Sequence, residues 1–506
     1  MSLKLSRGHL GYVLDDSYIH MAISKNFSQY GVWGISRFGF TSSSSSPLWI
    51  LLLSLIYFFS GPNELAPFVV NIIFGIIICI LAHKFFKKYR LQPFLAFIFL
   101  VLVIFLTPLP LLIFCGQEHT MHLLISISFL YVFSKNLSKS NTKSSQKMLL
   151  VLAPLLTASR YEGLFLLLVV CIVFLLKRKF LYALFLGGLG LLPVVLYGSF
   201  SLLEGWHFLP NSVFLKADSP DFSNLSGIIN LLGYTAYKKI IATPHILALA
   251  ILMLTVYFSR LRRQFGAGEE KQLLVAVFLI TVFLHMQFAR TGWFYRYEAY
   301  LVSIGVLLLG VLLKGLISES LRAKAKKMSV LLGVIILFFI FALLALIQRG
   351  AESLRQIPRA SVNIYEQQYQ IGLFLREFYH GQSVAAHDIG AINYLADVKC
   401  LDLYGIGTKE IAEMKISKNY NLSSVIKFTA KEKIKIAVVY DSWLKYYRIW
   451  PINWIKVGEW KIKNNVACGD DTVSFYAVNP REKNNLAKSL EAFSSRLPEN
   501  VRQRLY

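Results

Sequence analysis

Acidic residues are scarce in this chain. Only 28 Asp and Glu stand against 53 Lys and Arg in 506 residues, and charged residues of both signs make up 16%. A soluble enzyme of this length carries more charge than that. With 55% hydrophobic residues and a mean hydropathy of +0.53, the chain reads as a polytopic α-helical membrane protein. The formal net charge of +25 does not indicate nucleic acid, because the basic residues fall in short clusters between apolar runs. Cysteine is sparse too: the five are scattered, and no CxxC pair suggests zinc or thioredoxin-type chemistry. Cys400 and Cys468 could pair in an oxidising compartment, though an unpaired state is the simpler expectation. No solenoid-period repeat is present. Low-complexity sequence is confined to Ser42–Ser46 and a Ser/Lys/Asn stretch at Ser134–Gln146.

What is abundant is long apolar sequence. Runs at residues 65–83, 92–106, 120–134, 148–160, 164–176, 180–200, 245–259, 272–289, 299–314 and 328–347 are the expected spans. Several fall short of the ~20 residues of an ideal span. Alternate connections are basic: Lys84–Arg90, Lys135–Lys147, Lys177–Lys179, Arg260–Lys271 and Lys314–Lys327. The positive-inside rule puts all five in the cytoplasm and every other connection outside. This requires Pro47–Ser60 to lie as an interfacial helix, with Trp49 at the headgroup level. Met1–Leu14 carries Lys4 and Arg7 and is too short and polar to span, and it lacks the apolar core of a signal peptide.

Composition changes after Ile347, which divides the chain into a transmembrane domain, residues 1–347 with a first outer loop at 1–64, and a polar domain, residues 348–506. A helical stretch at Val362–Tyr379 precedes β-like runs at Ser383–Ala386, Cys400–Leu403, Ile434–Tyr440 and Phe475–Val478. Strands alternating with helices indicate a small extracytoplasmic α/β domain. The basic tail around Arg481–Arg504 reads as a solvated or membrane-surface helix.

The unusual polar residues gather in the external connections. Asp15 and Asp16 stand before the first span, Glu118 at the mouth of the third, and Arg160 and Glu162 between two very apolar runs. Asn211 and Lys216 follow Leu209-Pro210, and Arg290, Trp293, Tyr295 and Arg296 form a late cluster. Ionisable residues at the membrane edge are functional candidates because their desolvation must be offset. A phosphate leaving group needs cations, for which Arg160, Lys216, Arg290 and Arg296 serve. An attacking hydroxyl needs a general base, which a carboxylate supplies. A lipid tail needs an apolar groove, and a sugar needs aromatics such as Trp206, Trp293 and Tyr295.

In order along the chain, Asp15-Asp16-Ser17-Tyr18, Ser46-Pro47-Leu48-Trp49, Gly116-Gln117-Glu118, Arg160-Tyr161-Glu162-Gly163, Leu209-Pro210-Asn211-Ser212 with Lys216, and Arg296-Tyr297 resemble the GT-C glycosyltransferases. The resemblance is nearest to the bacterial arabinofuranosyltransferase-like branch, whose outer domain His387–Tyr394 and Leu401–Gly405 resemble. It implies an inverting transferase in the bacterial inner membrane, moving a sugar from a polyprenyl-phosphate donor to an extracytoplasmic acceptor, a cell-envelope glycan or lipid-linked saccharide. It implies Asp15 as catalytic base and Asp16 as a substrate or metal contact. Glu118, Arg160, Glu162, Asn211, Lys216, Trp293, Tyr295 and Arg296 would bind substrate. Some GT-C enzymes use a divalent cation, with Asp16 and Glu118 the possible ligands here; no other cofactor is implied. The family also implies a spanning helix before the acidic pair, so a start placed too late is expected.

Plainer readings stand beside these. Asp15 and Asp16 suit a helix cap, Arg160 and Glu162 a mutual ion pair, and Glu118 a helix N-terminus. Trp293 and Tyr295 suit an interfacial belt, and Asp388 a strand-to-helix turn. His119, His122, His207 and His285 are scattered, which favours structural roles over metal ligation. Rival functions are a flippase of polyprenyl-linked saccharide and an O-antigen-type ligase or polymerase.

Overall fold

The computed structural model describes residues 8–138, 142–216, 233, 236–258, 269–320 and 330–506. Most of these are helical. A helix lies over each expected span: Ala66–Lys88, Pro93–Leu106, His119–Leu137, Lys143–Ser159, Gly163–Leu176, Phe180–Leu203, Pro244–Phe258, Glu269–Phe288, Ala299–Ser320 and Val330–Ile364. Four stretches among the described residues are long and apolar enough to cross a membrane: Ala66–Lys88, Pro93–Cys115, Phe180–Leu203 and Glu269–Phe288. The second is interrupted at Pro108, where proline supplies no N–H to the helix, and resumes as Leu109–Cys115. Gly116 ends it at φ 63°, and a Cβ there would meet the Tyr12 ring. Only glycine combines that backbone with that approach.

The basic connections meet at one end of the bundle. Lys88 donates to Ser134 at 2.7 Å and pairs with Glu270 at 2.5 Å. Lys314 donates to the Tyr89 carbonyl at 3.0 Å, and Lys177 pairs with Glu269 at 2.5 Å. Among the described residues, contacts from four of the five connections therefore collect away from the acidic first loop, which lies with Glu118, Arg160 and Arg296.

In the first loop, helix Asp16–Tyr30 is closed by Gly31 in the left-handed region and packs on helix Pro47–Ser60. The latter exposes Leu51, Leu55, Phe58 and Phe59 along one face. Trp49 does not face outward: it is fully buried on the opposite face, against the bundle. The serine run is not loose either. Ser42–Ser44 are buried, with Ser43 donating to the Ile406 carbonyl at 3.1 Å and the Asn211 N–H donating to the Ser42 carbonyl at 2.8 Å.

The expected boundary at residue 347 falls inside helix Val330–Ile364, which continues through a wide turn at Tyr365–Tyr369 into helix Gln370–Phe378. Beyond it, six strands form one mixed sheet: β1 Ser383–Ala386, β2 Lys399–Asp402, β3 Ile436–Val439, β4 Ile455–Lys461, β5 Thr472–Ala477 and β6 Arg502–Leu505. The order is β2-β1-β3-β5-β4-β6, parallel within β2-β1-β3 and antiparallel thereafter. The basic tail is part of this domain and not a solvated helix. Leu486, Leu490 and Phe493, at helical spacing, bury one face of helix Lys483–Phe493, and Arg502–Leu505 forms the sheet edge. All five cysteines are free.

Candidate active site

At the end of the bundle remote from the basic contacts, the first loop, three helix mouths and the polar domain enclose a cavity of about 290 Å³. Helix Asp16–Tyr30 lends it Asp16, Ile19 and His20, which share one face at i, i+3 and i+4. Gln117 and Glu118 enter after the Gly116 turn. Arg160 and Glu162 enter from the break between two helices. Arg290, Arg296 and Tyr297 come from the late loop. The floor is apolar, made by Leu164, Phe165, Val194 and Phe288 of the bundle.

The charges are ordered in two groups. Arg160 donates through Nε and Nη2 to the Glu162 carboxylate at 3.1 and 2.6 Å, and through Nη1 to Glu118 and to His119 Nε2. Burial opposes the Glu162 charge, but the Arg160 guanidinium overrides it and holds that carboxyl at about 2. His20 Nε2 lies 3.5 Å from Glu118. Arg296, only 3% exposed, donates to Asp16 Oδ2 at 2.5 Å, to Gln117 Oε1 at 2.8 Å and to the Tyr297 hydroxyl at 3.0 Å. Arg290 lines the cavity as an exposed cation.

A second cavity, of about 440 Å³, opens between the first loop and the polar domain. Asp16, Arg290, Arg296 and Tyr297 line both cavities, so the Arg296–Asp16 pair stands between them. Asp15 lines only the second, with Asp388, Asp402, Trp293 and Trp443. Its carboxylate is half-buried and accepts the N–H of Gly390 at 2.6 Å and of Ala391 at 2.8 Å. Burial and the Asp388 carboxylate push the Asp15 carboxyl up to about 8, against the pull of those two N–H groups.

The first cavity thus brings together Asp16, Glu118, Arg160, Glu162 and Arg296, while Asp15 and Trp293 face the second. Asn211 and Tyr295 line neither. Asn211 is fully buried and donates to the Gly405 carbonyl at 2.9 Å, tying helix Asn211–Lys216 to the polar domain. Tyr295 lies under the Arg349 guanidinium and gives it a carbonyl acceptor. Both hold the walls in place. The Lys216 side chain is outside the described residues. Asp15 and Glu118 do stand at the N-cap positions of their helices, although neither side chain bonds its own helix. Arg160 and Glu162 do pair, and Asp388 does stand at a strand-to-helix turn, but these residues also line the cavities.

A divalent cation does not fit these residues. Asp16 and Glu118 are each taken by a guanidinium, and among the described residues no three His, Cys, Asp or Glu side chains form a ligand set. Sequence reading passed over His20 and Gln117, although His20 shares its helix face with Asp16. It also passed over Tyr440 and Trp443, whose distance along the chain hides their place beside Asp15.

No curated protein sequence matches this chain. Residues 361–476 match a family described as a domain of unknown function, DUF8728. Among solved structures, the chain is similar to ArnT from Cupriavidus metallidurans bound to undecaprenyl phosphate. That likeness has a TM-score of 0.50 at 12% identity, and covers 92% of this chain and 94% of ArnT. The apo state of ArnT gives 0.50 and 12%, over 91% and 93%. The apo oligosaccharyltransferase of Archaeoglobus fulgidus is looser, at 0.49 and 12%, over 93% of this chain and 71% of that one. With its helices, acidic first loop and C-terminal sheet domain matched over 92% of its length, this chain shares the overall fold of that ArnT.

Proposed function

We propose that the chain is an inverting glycosyltransferase of the bacterial inner membrane. It takes a sugar from a polyprenyl-phosphate donor and passes it to an extracytoplasmic acceptor, a cell-envelope glycan or lipid-linked saccharide. In this reading ten helices span the membrane, the basic connections face the cytoplasm, and the polar domain stands outside.

The observation that carries the reading is the pair of cavities meeting at Arg296 and Asp16. The first joins buried guanidinium groups to an apolar floor, which suits a phosphate with a lipid tail. The likeness to an ArnT bound to undecaprenyl phosphate supports that carrier class. The second has Asp15, Trp293 and Trp443 among its lining residues, which suits a sugar hydroxyl. Arg290 and Lys216 supply positive charge for the phosphate, because Arg160 and Arg296 are already balanced by carboxylates.

In the reaction, the acceptor O–H bond breaks as its proton passes to the Asp15 carboxylate. The oxygen bonds the anomeric carbon, and the bond from that carbon to the phosphate oxygen breaks with its electrons going to the phosphate. A single displacement inverts the anomeric centre. The two backbone N–H groups fix the orientation of Asp15, and each carboxylate oxygen keeps a lone pair for the acceptor. Asp16, paired with Arg296, stands where the two cavities meet.

Purified protein incubated with a panel of polyprenyl-phosphate sugars and glycan acceptors should release polyprenyl phosphate and form glycoside. Carriage of intact lipid-linked saccharide across vesicles without cleavage would assign a flippase instead. Transfer of whole oligosaccharides only would assign a ligase.

A further inference from the structure

The loop between Arg290 and Arg296 runs through an uncommon turn. Gly292, Trp293, Phe294 and Tyr295 lie in succession in the left-handed region, at φ 79°, 36°, 56° and 58°. Three of the four carry a Cβ, which in this conformation crowds the following carbonyl oxygen, so neighbouring contacts must keep them there. Around this turn, Arg290, Arg296 and Tyr297 line both cavities, and Trp293 lines the second.

Two buried charges tie its ends. Glu298, fully buried, accepts the Gly292 N–H on Oε2 at 2.9 Å. Arg349, also buried, donates through Nη2 to the Tyr295 carbonyl at 2.6 Å and to Glu298 Oε1 at 3.1 Å. Its Nη1 donates to the Leu106 carbonyl at 2.8 Å. In a continuous helix that carbonyl would accept the N–H of residue 110, but Pro110 has none. The guanidinium therefore joins the turn to the break that proline makes in the bundle. Gly350, next to Arg349, permits the close approach: a Cβ there would lie 2.7 Å from the Phe105 carbonyl oxygen. His245 Nε2 lies 3.7 Å from Glu298 Oε1. Neither Glu298 nor Arg349 lines either cavity.

We propose that Glu298 and Arg349 are positioning residues for the donor phosphate: together they fix the left-handed turn, and the turn sets Arg290 on the cavity wall beside the Arg296–Asp16 pair. The phosphate rests on the transferase reading; the holding of the turn does not. Arg290 is an exposed side chain on a loop. Were the loop free, ordering it would weaken phosphate binding, whereas a loop fixed beforehand presents the cation already oriented. The Glu298 and Arg349 charges answer each other, so the pair acts on the site through geometry and adds no net charge to it.

The test combines hydrogen exchange and ligand binding on the full-length protein in detergent. The probes are a polyprenyl phosphate and the polyprenol of equal length, which has the tail without the phosphate. In wild type the Gly292 amide should exchange slowly, and the phosphate should bind more tightly than the alcohol. Glu298→Gln leaves Arg349 without its counter-charge, and Arg349→Lys keeps the charge but lacks the fork that spans three acceptors. In each variant, exchange across residues 290–297 should rise while helix Ala299–Ser320 stays protected. Affinity for polyprenyl phosphate should fall by about 10-fold, the scale of one charge-assisted contact, while that for polyprenol holds. Unchanged loop exchange in both variants overturns the proposal, and so does a loosened loop with phosphate affinity intact. Equal loss of both ligands also overturns it, by giving the pair a packing role alone. Arg349→Lys retains the charge opposite Glu298, so it decides the matter if Glu298→Gln does not fold. A wild type that binds the two ligands alike would count against the donor reading, and exchange alone would then judge the holding of the turn.

Discussion

Arg296 holds Asp16 at 2.5 Å, and this one ion pair separates a cavity floored by the helix bundle from a cavity roofed by the polar domain. The pair joins residues 280 positions apart. It also divides the adjacent acids: Asp16 turns to the bundle side and Asp15 to the domain side. Neighbouring positions of one loop thus serve different surroundings, Asp16 in an ion pair and Asp15 on the polar domain's backbone.

Arg296 is buried on a charged partner, so its removal leaves Asp16 uncompensated. Arg296→Gln should lower stability by about 3 kcal/mol, the low end for a broken buried pair because Asp16 keeps some solvent. Asp16→Asn in the same chain should restore part of that loss without restoring transfer. Thermal melting in detergent across the four members of the mutant cycle measures it; additive losses would mean that the two side chains do not interact.

Asp15→Asn keeps the hydrogen bond of one oxygen and removes the proposed base. Transfer should fall by about 10²–10⁴-fold with little change in donor binding. The base works ionised, and burial with Asp388 pushes its carboxyl up to about 8. Wild-type transfer should therefore rise with pH, close to tenfold per unit well below 8, and level off above it. A profile already flat at pH 6 excludes Asp15 as the titrating base. Near-normal transfer in Asp15→Asn, with loss in Asp16→Asn, would assign the base to Asp16.

Arg290→Ala and Lys216→Ala should weaken donor binding by roughly 10-fold or more, as expected for losing a charge-assisted phosphate contact. Equilibrium binding of a polyprenyl phosphate checks this. Unchanged affinity in Arg290→Ala would count against a phosphate in the first cavity.

Gly390→Ala places a methyl group against the Asp15 backbone, which has no room to yield. Transfer should fall by about 10²-fold, the scale of an ångström-level misplacement. Hydrogen exchange should show the sheet itself intact and the contact with the first loop loosened. Normal activity would mean that the polar domain is not needed to orient Asp15.

Single cysteines placed at Lys84–Arg90 and at Arg260–Lys271 should react only with reagents that enter the cytoplasm. Cysteines at exposed positions after Ile347 should react from outside intact cells. A polar domain labelled only from within would remove the proposed outer-face site.

The apolar runs needed no tertiary information, because a lipid-facing helix must carry its apolarity in consecutive residues. The basic connections were legible in the same way, and their ion pairs and hydrogen bonds do meet at one end. The strands β1, β2, β3 and β5 were legible from short apolar runs. β4 and β6 were not, since an edge strand such as Arg502–Leu505 carries charge and resembles a solvated tail. The helix through residue 347 was cut short in the sequence reading because composition changes there while the backbone hydrogen bonding does not.

The candidate site divides along the same line. Residue type and local spacing singled out Asp15, Asp16, Glu118, Arg160, Glu162 and Arg296, because isolated charges beside apolar sequence are conspicuous. Which carboxylate meets which cation was decided only by the fold. Adjacent residues at the start of a helix point about 100° apart, so the helix axis, set by packing against Pro47–Ser60 and Gly390–Leu395, sent Asp16 to Arg296 and Asp15 to the polar domain. The sequence by itself determined an apolar helical body with an acidic first loop. The partners of each acid, and the presence of Asp388 beside Asp15, came from contacts hundreds of residues apart that no local pattern encodes.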